Sequence, residues 1–441
     1  MGFFDFLLRL LGLKRDSRAE ETSTASPAPV KRKRRRRKPG VRPKLAPLKF
    51  KRQRWCEYQH DPKGLTASSR PLSVPQATKE RPYPFANPDV RFGGYLDLSQ
   101  DSDQIQLDEL QLPIFKDPLE LAAWLGIPVG QLAWLAGKFD EAHTPATEAK
   151  SHYHLRWQPK RNYGCRLIES PKPLLKQVQR KILREILDNV PAHSAAHGFV
   201  PGESIVTNAK PHCGQRVLLK FDLENFYPRV RFLKVTAIFR GMGYSREAAI
   251  WLARLCTSRL PKDAKPPTAN PEVFSLYSSS HLPQGAPTSP ALANLAAYVL
   301  DVRLDGLARS FNANYTRYAD DLTFSGDEKF LHGLKMFIPF VERIIRETGF
   351  TVNKNKRRII RNNQRQAVTG VVVNQHPNLN RKEYDRLKAI LHNCVRLGAE
   401  SQNREQRPDF KAHLRGRLAH LHQLNPKRAV KLERLFERIQ W

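Results

Sequence analysis

Tyr318-Ala319-Asp320-Asp321 is the stretch that decides how this chain is read. Two adjacent aspartates stand between two short β-type runs, Asn314 to Ala319 and Leu322 to Ser325. Tyr, Thr and Phe enrich both runs, and Gly326 closes the second. That composition predicts a hairpin with paired carboxylates at its tip. Carboxylate oxygens are natural ligands of Mg²⁺, and like charges this close repel unless a cation lies between them. A solvated Asp-Asp turn would carry the same letters, so a third acid upstream is needed to decide.

Arg216 to Asp222 supplies it. Val217, Leu218, Leu219 and Phe221 make an apolar run bounded by Gly214 and Asp222, which predicts a buried strand whose last residue emerges at the sheet edge. Glu224, Phe226 and Tyr227 follow. The competing reading makes Asp222 a helix cap, since Arg229 to Arg240 has a helical pattern. A strand-end acid and a hairpin pair together could hold two divalent ions about 4 Å apart, a spacing suited to in-line displacement at phosphorus. One ion would activate the attacking hydroxyl and the other would stabilise the leaving pyrophosphate.

With these residues in view the chain resembles the reverse transcriptases. Phe221-Asp222 with Phe226-Tyr227 is similar to their first palm motif, and Tyr318 to Asp321 to their second metal-binding motif. Between the two, Leu282-Pro283-Gln284-Gly285-Ala286-Pro287-Thr288-Ser289-Pro290 is similar to their nucleotide- and template-contacting loop. Asn208-Ala209-Lys210-Pro211-His212 resembles the N-A-x-x-H marker of the retron branch, and Val368-Thr369-Gly370 its V-T-G triplet. The resemblance runs from about Gln104 to Trp441.

It implies an α+β right-hand polymerase: fingers, a palm of antiparallel sheet plus helices, and a helical thumb. Four segments are expected: a basic, mostly disordered extension over 1–103, N-terminal helices and fingers over 104–215, the palm over 216–374 and the thumb over 375–441. Asp222, Asp320 and Asp321 become the metal ligands for two Mg²⁺, with Mn²⁺ as a possible substitute. A backbone carbonyl of Phe221 or Leu223 would complete a site. Tyr227 would exclude a 2′-hydroxyl, since a flat ring leaves no room for an added oxygen. Gln284 and Gly285 would meet the nucleotide, glycine allowing close backbone approach. Lys356 falls where the family places a lysine near the pyrophosphate as general acid, with Lys354 a competitor. Val368, Thr369 and Gly370 would form the primer grip, whose weight lies in holding the reacting hydroxyl in place.

Bulk properties agree with a polyphosphate partner. The chain has 441 residues, a net charge of +33 and an isoelectric point near 10.2. Residues 1–60 hold 18 Lys and Arg against 5 Asp and Glu, which leaves +20 for the remainder. The body is therefore basic in its own right, as a nucleic-acid cleft requires. Lys31 to Lys38 is eight consecutive basic residues, a self-repelling block that reads as a nucleic-acid arm or a solvated tail. The five cysteines lie far apart and read as reduced thiols of a cytoplasmic protein. Met1 to Leu13 is apolar but broken by Asp5 and Arg9, too short to span a bilayer, so no membrane is expected; it reads as a docking helix or a loosely packed terminus.

Local patterns fill in the rest. Structure is expected to resume near Leu107. Asp117-Pro118-Leu119-Glu120 should open a helix, and Pro128 another, both as packing. Tyr153 to Glu169 should be a hairpin turning at Asn162-Tyr163-Gly164; the resemblance makes it the fingers hairpin and implies that Lys160 and Arg166, which flank the turn, grip a triphosphate. Pro173 to Leu187 should be a helix with a basic stripe of Lys176, Arg180, Lys181 and Arg184 over the template. Ala291 to Leu300 should be a helix behind the palm. In the last helix Leu432, Leu435, Phe436 and Ile439 form an apolar face, and Lys427, Lys431, Arg434 and Arg438 a basic face suited to a duplex backbone. Asn208 and His212 read as RNA contacts, or, for the histidine, as a satisfied buried side chain.

By this resemblance the protein is an RNA-directed DNA polymerase of the retron type. It would use dNTPs to copy a structured non-coding RNA, its template and primer, into single-stranded DNA branched at a 2′-hydroxyl. Antiphage defence with a separate effector protein is also implied. The alternatives are another bacterial reverse transcriptase (group II intron, diversity-generating or CRISPR-linked) and a non-catalytic RNA-binding antitoxin scaffold.

Overall fold

A run such as Val217-Leu218-Leu219-Lys220-Phe221 has almost no polar face, so it must be covered on both sides. In the computed structural model, which describes residues 75–89, 93–160, 164–265, 267 and 274–441, that run is a central strand. The basic block Lys31–Lys38, the Met1–Leu13 stretch, Cys56 and the Asn162-Tyr163 part of the expected turn lie outside the described residues.

Order begins earlier than Leu107. β1 (Gln76–Thr78), β2 (Pro88–Asp89) and β3 (Gly94–Asp97) form a small antiparallel sheet in the order β1-β3-β2. This sheet lies inside the extension over 1–103 expected to be mostly disordered. Tyr83 is buried, its hydroxyl accepts from the Leu98 amide at 3.3 Å, and Phe85 packs on the main core. Proline and basic letters around these aromatics had masked them as anchors.

α1 (Gln104–Glu109), α2 (Pro118–Leu125) and α3 (Val129–Leu135) follow. The Asp117 carboxylate caps α2 by accepting from the amides of Leu119 and Glu120, and Gly126 ends it in the left-handed conformation. β4 (Tyr153–Pro159) and β5 (Cys165–Pro171) pair as a hairpin in the register Tyr153 to Pro171. Its apolar face carries Leu155, Trp157 and Leu167; the other carries Arg156, Gln158 and Arg166. α4 (Pro173–Glu185) leaves Lys176, Arg180 and Arg184 exposed, but Lys181 departs from the expected stripe. Its ammonium bonds the Trp124 carbonyl and lies 4.9 Å from that indole ring, so it fastens α4 to α2.

α5 (Ile205–Ala209) leads into β6 (Val217–Asp222). The helix expected over Arg229 to Arg240 starts later: after the one-turn α6 (Phe226–Arg229), Val230 and Arg231 are extended, and only then does α7 (Phe232–Gly241) begin. α8 (Arg246–Cys256) is apolar almost all round and correspondingly buried. The helix expected over Ala291 to Leu300 is also divided, into α9 (Ser289–Ala296) and α10 (Tyr298–Ser310), with Ala297 capping the first.

β7 (Asn314–Tyr318), β8 (Asp321–Gly326) and β9 (Arg358–Arg361) complete a four-stranded antiparallel sheet ordered β7-β8-β6-β9, with α11 (Glu328–Glu347) crossing between β8 and β9. Val217, Leu219 and Phe221 of β6 enter the main core, while Leu218 joins a cluster with Val206, Ala209, Val368 and Val371 on the opposite face. Each such buried side chain contributes about 1.5–3 kcal/mol. β10 (Ala367–Val368) and β11 (Val371–Val372) make a tight hairpin on that second face. α12 (Arg381–Leu397), α13 (Phe410–Leu424) and α14 (Pro426–Glu437) close around their own core of Leu387, Leu391, Leu414, Leu418 and Leu432. Among the described residues no helix is long and apolar enough to cross a membrane, and Cys165, Cys213, Cys256 and Cys394 are free thiols.

Candidate active site

Strand alternation sets the site. β6 ends at Asp222, directly opposite Asp321 across the β6–β8 ladder, and Asp320 occupies the two-residue loop joining β7 to β8. Three carboxylates from positions far apart in the chain therefore meet at one sheet end. Asp222 is buried; the other two are half-buried. Burial, then the charges of Asp222 and Asp321, push Asp320 up to about 6. Burial, with Asp222 adding to it, also raises Asp321.

Lys356 is the counterion. Its ammonium lies 2.8 Å from Asp222 Oδ2, and although burial pulls its pKa down, the hydrogen bond and charge of Asp222 hold it above the ordinary lysine value. Among the described residues no three acidic, histidine or cysteine side chains stand posed together as a metal cage. The donor set still fits a divalent cation: hard carboxylate oxygens bearing more negative charge than Lys356 and Lys220 together balance.

The loop itself is strained and braced. Ala319 has φ 55°, where a residue with a Cβ costs about 1–2 kcal/mol. Three contacts hold it. Arg317 Nη1 donates to the Ala319 carbonyl at 3.1 Å, the Leu223 amide donates to the Asp320 carbonyl at 2.9 Å, and the backbone of Gly198 lies against the loop. A Cβ on Gly198 would stand 2.7 Å from the Ala319 nitrogen, so only glycine fits. Arg317 is fully buried. Its other nitrogens clasp Asp301 at 2.8 and 2.6 Å, and Asn294 Oδ1 accepts from it at 2.9 Å. Asn294 in turn donates to the Gly198 carbonyl at 2.8 Å. Sequence reasoning missed Gly198, Asn294, Asp301 and Arg317. The one available signal was an arginine at an inward-pointing strand position beside Tyr315.

A second group stands beside the carboxylates. Tyr227, Gln284, Gly285, Pro287 and Ser289 line a cleft of about 270 Å³. Tyr227 is half-buried, and burial with the Asp320 charge raises its hydroxyl to about 12. Gly285 has φ 135°, and a Cβ there would stand 2.9 Å from the Glu169 carbonyl oxygen. The Glu169 amide donates to the Gln284 carbonyl at 2.9 Å, and the buried Glu169 carboxylate meets His281 Nε2 at 2.9 Å. The β4–β5 hairpin is thus bonded to the 281–285 loop. Ile168 faces Gly285, and Arg166, two residues earlier, shares its strand face. Arg166 Nε is buried without a partner, whereas Lys160 is exposed at the hairpin end.

Asn208 and His212 are both buried, and for His212 this is the satisfied interior side chain that the sequence allows beside the RNA contact. His212 bonds Ser325 Oγ at 2.7 Å and Thr316 Oγ1 at 2.8 Å, at the far end of the sheet face that carries Asp321. Burial, with the His197 and Lys220 charges adding, depresses it to about 3. Asn208 Nδ2 donates to Thr369 Oγ1 at 3.4 Å, and that hydroxyl donates to the Ile205 carbonyl. The two retron-like motifs therefore touch each other. Thr369 and Gly370, with φ 47° and 88°, form the two-residue turn between β10 and β11. Val368 is fully buried beneath them. Lys427, Lys431, Arg434 and Arg438 are all exposed at the C-terminal helix, while Leu432 and Ile439 are buried.

Comparison with known proteins fits this arrangement. The family model described as Reverse transcriptase (RNA-dependent DNA polymerase) matches residues 158–378. Over 339 residues the chain is 40% identical to the retron Mx65 reverse transcriptase of Myxococcus xanthus, spanning 75% of this chain and 74% of that one. It is 36% identical over 322 residues to the retron Mx162 reverse transcriptase of the same organism, spanning 69% and 63%. Against the retron Ec86 reverse transcriptase of Escherichia coli it is 34% identical over 228 residues, spanning 52% and 64%. Reverse transcriptase domains generally use divalent metal ions. The chain belongs to the reverse transcriptase family, alongside the retron enzymes, and is an RNA-directed DNA polymerase.

Proposed function

We propose that this polymerase copies a structured partner RNA into a short single-stranded DNA, starting from a 2′-hydroxyl of that RNA and leaving a branched product. The observation that carries this reading is the register of Asp222 opposite Asp321, with Asp320 in the adjoining loop. The four-stranded sheet serves as palm (216–374), the β4–β5 hairpin with the helices before it as fingers (104–215), and α12 to α14 as thumb (375–441). Two Mg²⁺ ions held by Asp222, Asp320 and Asp321, with Mn²⁺ as a substitute, would supply hydroxyl activation and charge neutralisation at phosphorus.

The chain's own groups do the rest. Arg166 and Lys160 hold the triphosphate, Arg166 through two parallel hydrogen bonds and Lys160 as a point charge. Tyr227 closes the sugar side of the cleft against a 2′-hydroxyl, and Gln284 and Gly285 form its floor. Lys356 delivers a proton to the departing pyrophosphate. The Val368-Thr369-Gly370 turn holds the primer end, steadied from behind by Asn208. Lys431, Arg434 and Arg438 meet duplex phosphates. Work in the cytoplasm beside a separate effector protein, in antiviral defence, completes the proposal.

The experiment is Asp320→Asn. Mg²⁺-dependent dNTP incorporation should vanish while RNA binding persists. Continued synthesis by that variant would overturn the metal assignment. Sequencing the nucleic acid that co-purifies with the wild type should find one structured RNA joined to DNA.

A further inference from the structure

A pocket of about 220 Å³ lies away from the carboxylates, where the C-terminal end of α8 meets the segment after α3 and the start of β4. Its lining includes Arg254, Ser258, Arg259, His143, His152 and Asp140. Most of these polar groups are engaged. Arg259 donates to the carbonyls of Ser278 at 2.8 Å and Ala142 at 3.2 Å. His143 Nδ1 meets the Gly137 carbonyl at 2.9 Å, and His152 Nε2 the Trp134 carbonyl at 2.8 Å. The Asp140 carboxylate is turned toward Gly137.

Two groups are not engaged. Arg254 Nε and Ser258 Oγ are buried with no hydrogen-bond partner, and the Ser258 residue is 4% exposed. The guanidinium of Arg254 rests 5.8 Å from the Phe232 ring centroid, a weak substitute for hydrogen bonds. Burial lowers its pKa, and the Glu247 charge offsets this only in part. That carboxylate already accepts from Trp251 Nε1 at 2.7 Å. A buried donor without an acceptor costs about 1–3 kcal/mol, and more when it is charged. Two such donors on residues that line one pocket, four residues apart at a helix end, are an expensive arrangement for packing alone.

We propose that this pocket binds a phosphate-type oxyanion, held by the Arg254 guanidinium and the Ser258 hydroxyl. The chemistry is matched: a planar fork of N–H donors and one O–H donor, in a pocket also lined by Leu135, Leu175 and Phe232. The size selects a phosphoryl group over a bulky ligand, since pockets for drug-sized molecules run to about 300–1,000 Å³. The phosphate comes either from a free ligand or from a nucleic-acid backbone. This inference is independent of the polymerase reading, because the pocket shares no residue with the carboxylate site.

The test is thermal unfolding of the full chain, titrated with inorganic phosphate or a short RNA, against chloride at equal ionic strength. Arg254→Gln should melt at or above the wild-type temperature without ligand, because a buried uncompensated charge has gone, and should lose the ligand response. Ser258→Ala should weaken the response about threefold. A rise with inorganic phosphate assigns a free phosphate-bearing ligand. A rise with RNA that Arg254→Gln lacks, phosphate being silent, assigns a backbone phosphate. No rise beyond chloride with either ligand, or an unchanged response in Arg254→Gln, overturns the proposal.

Discussion

Arg317 donates to the Ala319 carbonyl, 3.1 Å away, while the rest of its guanidinium clasps Asp301. One buried side chain thus ties the carboxylate-bearing loop to α10. Arg317→Met should destabilise the protein by about 3–5 kcal/mol in a urea titration, because it leaves Asp301 buried and unpaired. Adding Asp301→Leu should recover most of that stability. The incorporation rate should stay low in the double variant, since the Ala319 carbonyl still lacks its donor. Recovery of rate together with stability would show that Arg317 only packs.

Gly285 offers a second test. Its positive φ and the 2.9 Å approach to the Glu169 carbonyl leave no place for a methyl group. Gly285→Ala should raise the KM for dNTPs at least tenfold, about 1.4 kcal/mol, with the melting temperature changed by only a few degrees. Steady-state kinetics at saturating template-primer read this directly.

His212 predicts a pH dependence of stability. The folded state takes up the proton only near pH 3, the unfolded state near 6.5. Its contribution is therefore complete above about pH 6.5 and is lost as pH falls from there toward 3. Between pH 7.5 and 5 the loss should be about 2 kcal/mol. His212→Gln should be less stable than wild type at pH 7.5 and show a flatter profile. Parallel profiles would remove His212 as the source.

Lys356→Gln separates two consequences of one contact. With the ammonium gone from Asp222, half-saturating Mg²⁺ should fall several-fold. The maximal rate should fall about 10²-fold or more if the lysine is the proton donor. A Mg²⁺ titration of incorporation yields both numbers.

Much of the strand framework was legible in the letters. The β6 run is apolar on both faces, and the β7 and β8 runs carry strand-forming aromatic and β-branched residues around a two-residue loop, so their pairing followed from period and punctuation. What could not be read was who stands behind the loop. Gly198, Asn294 and Asp301 sit on three separate segments, and their roles exist only because long-range packing brings the Asn294 amide and the Asp301 carboxylate to one arginine and the Gly198 carbonyl to that same amide. Helix ends failed for a related reason. Val230 and Ala297 are ordinary residues for a helix interior, and neighbours rather than propensity break the helices there. Asn208 and His212 illustrate polar letters whose partners are invisible in sequence: they bond Thr369, Thr316 and Ser325 inside the protein, and for the histidine the sequence itself leaves the buried reading open.

The bond from Glu169 to Gln284, with its buried carboxylate on His281, has an engineering consequence. It makes the hairpin and the 281–285 loop a single preset wall, so under the proposed role of that cleft as the nucleotide site, widening the tolerance for modified building blocks is a matter of re-carving side chains on that wall. Lengthening or loosening the loops would detach the two halves.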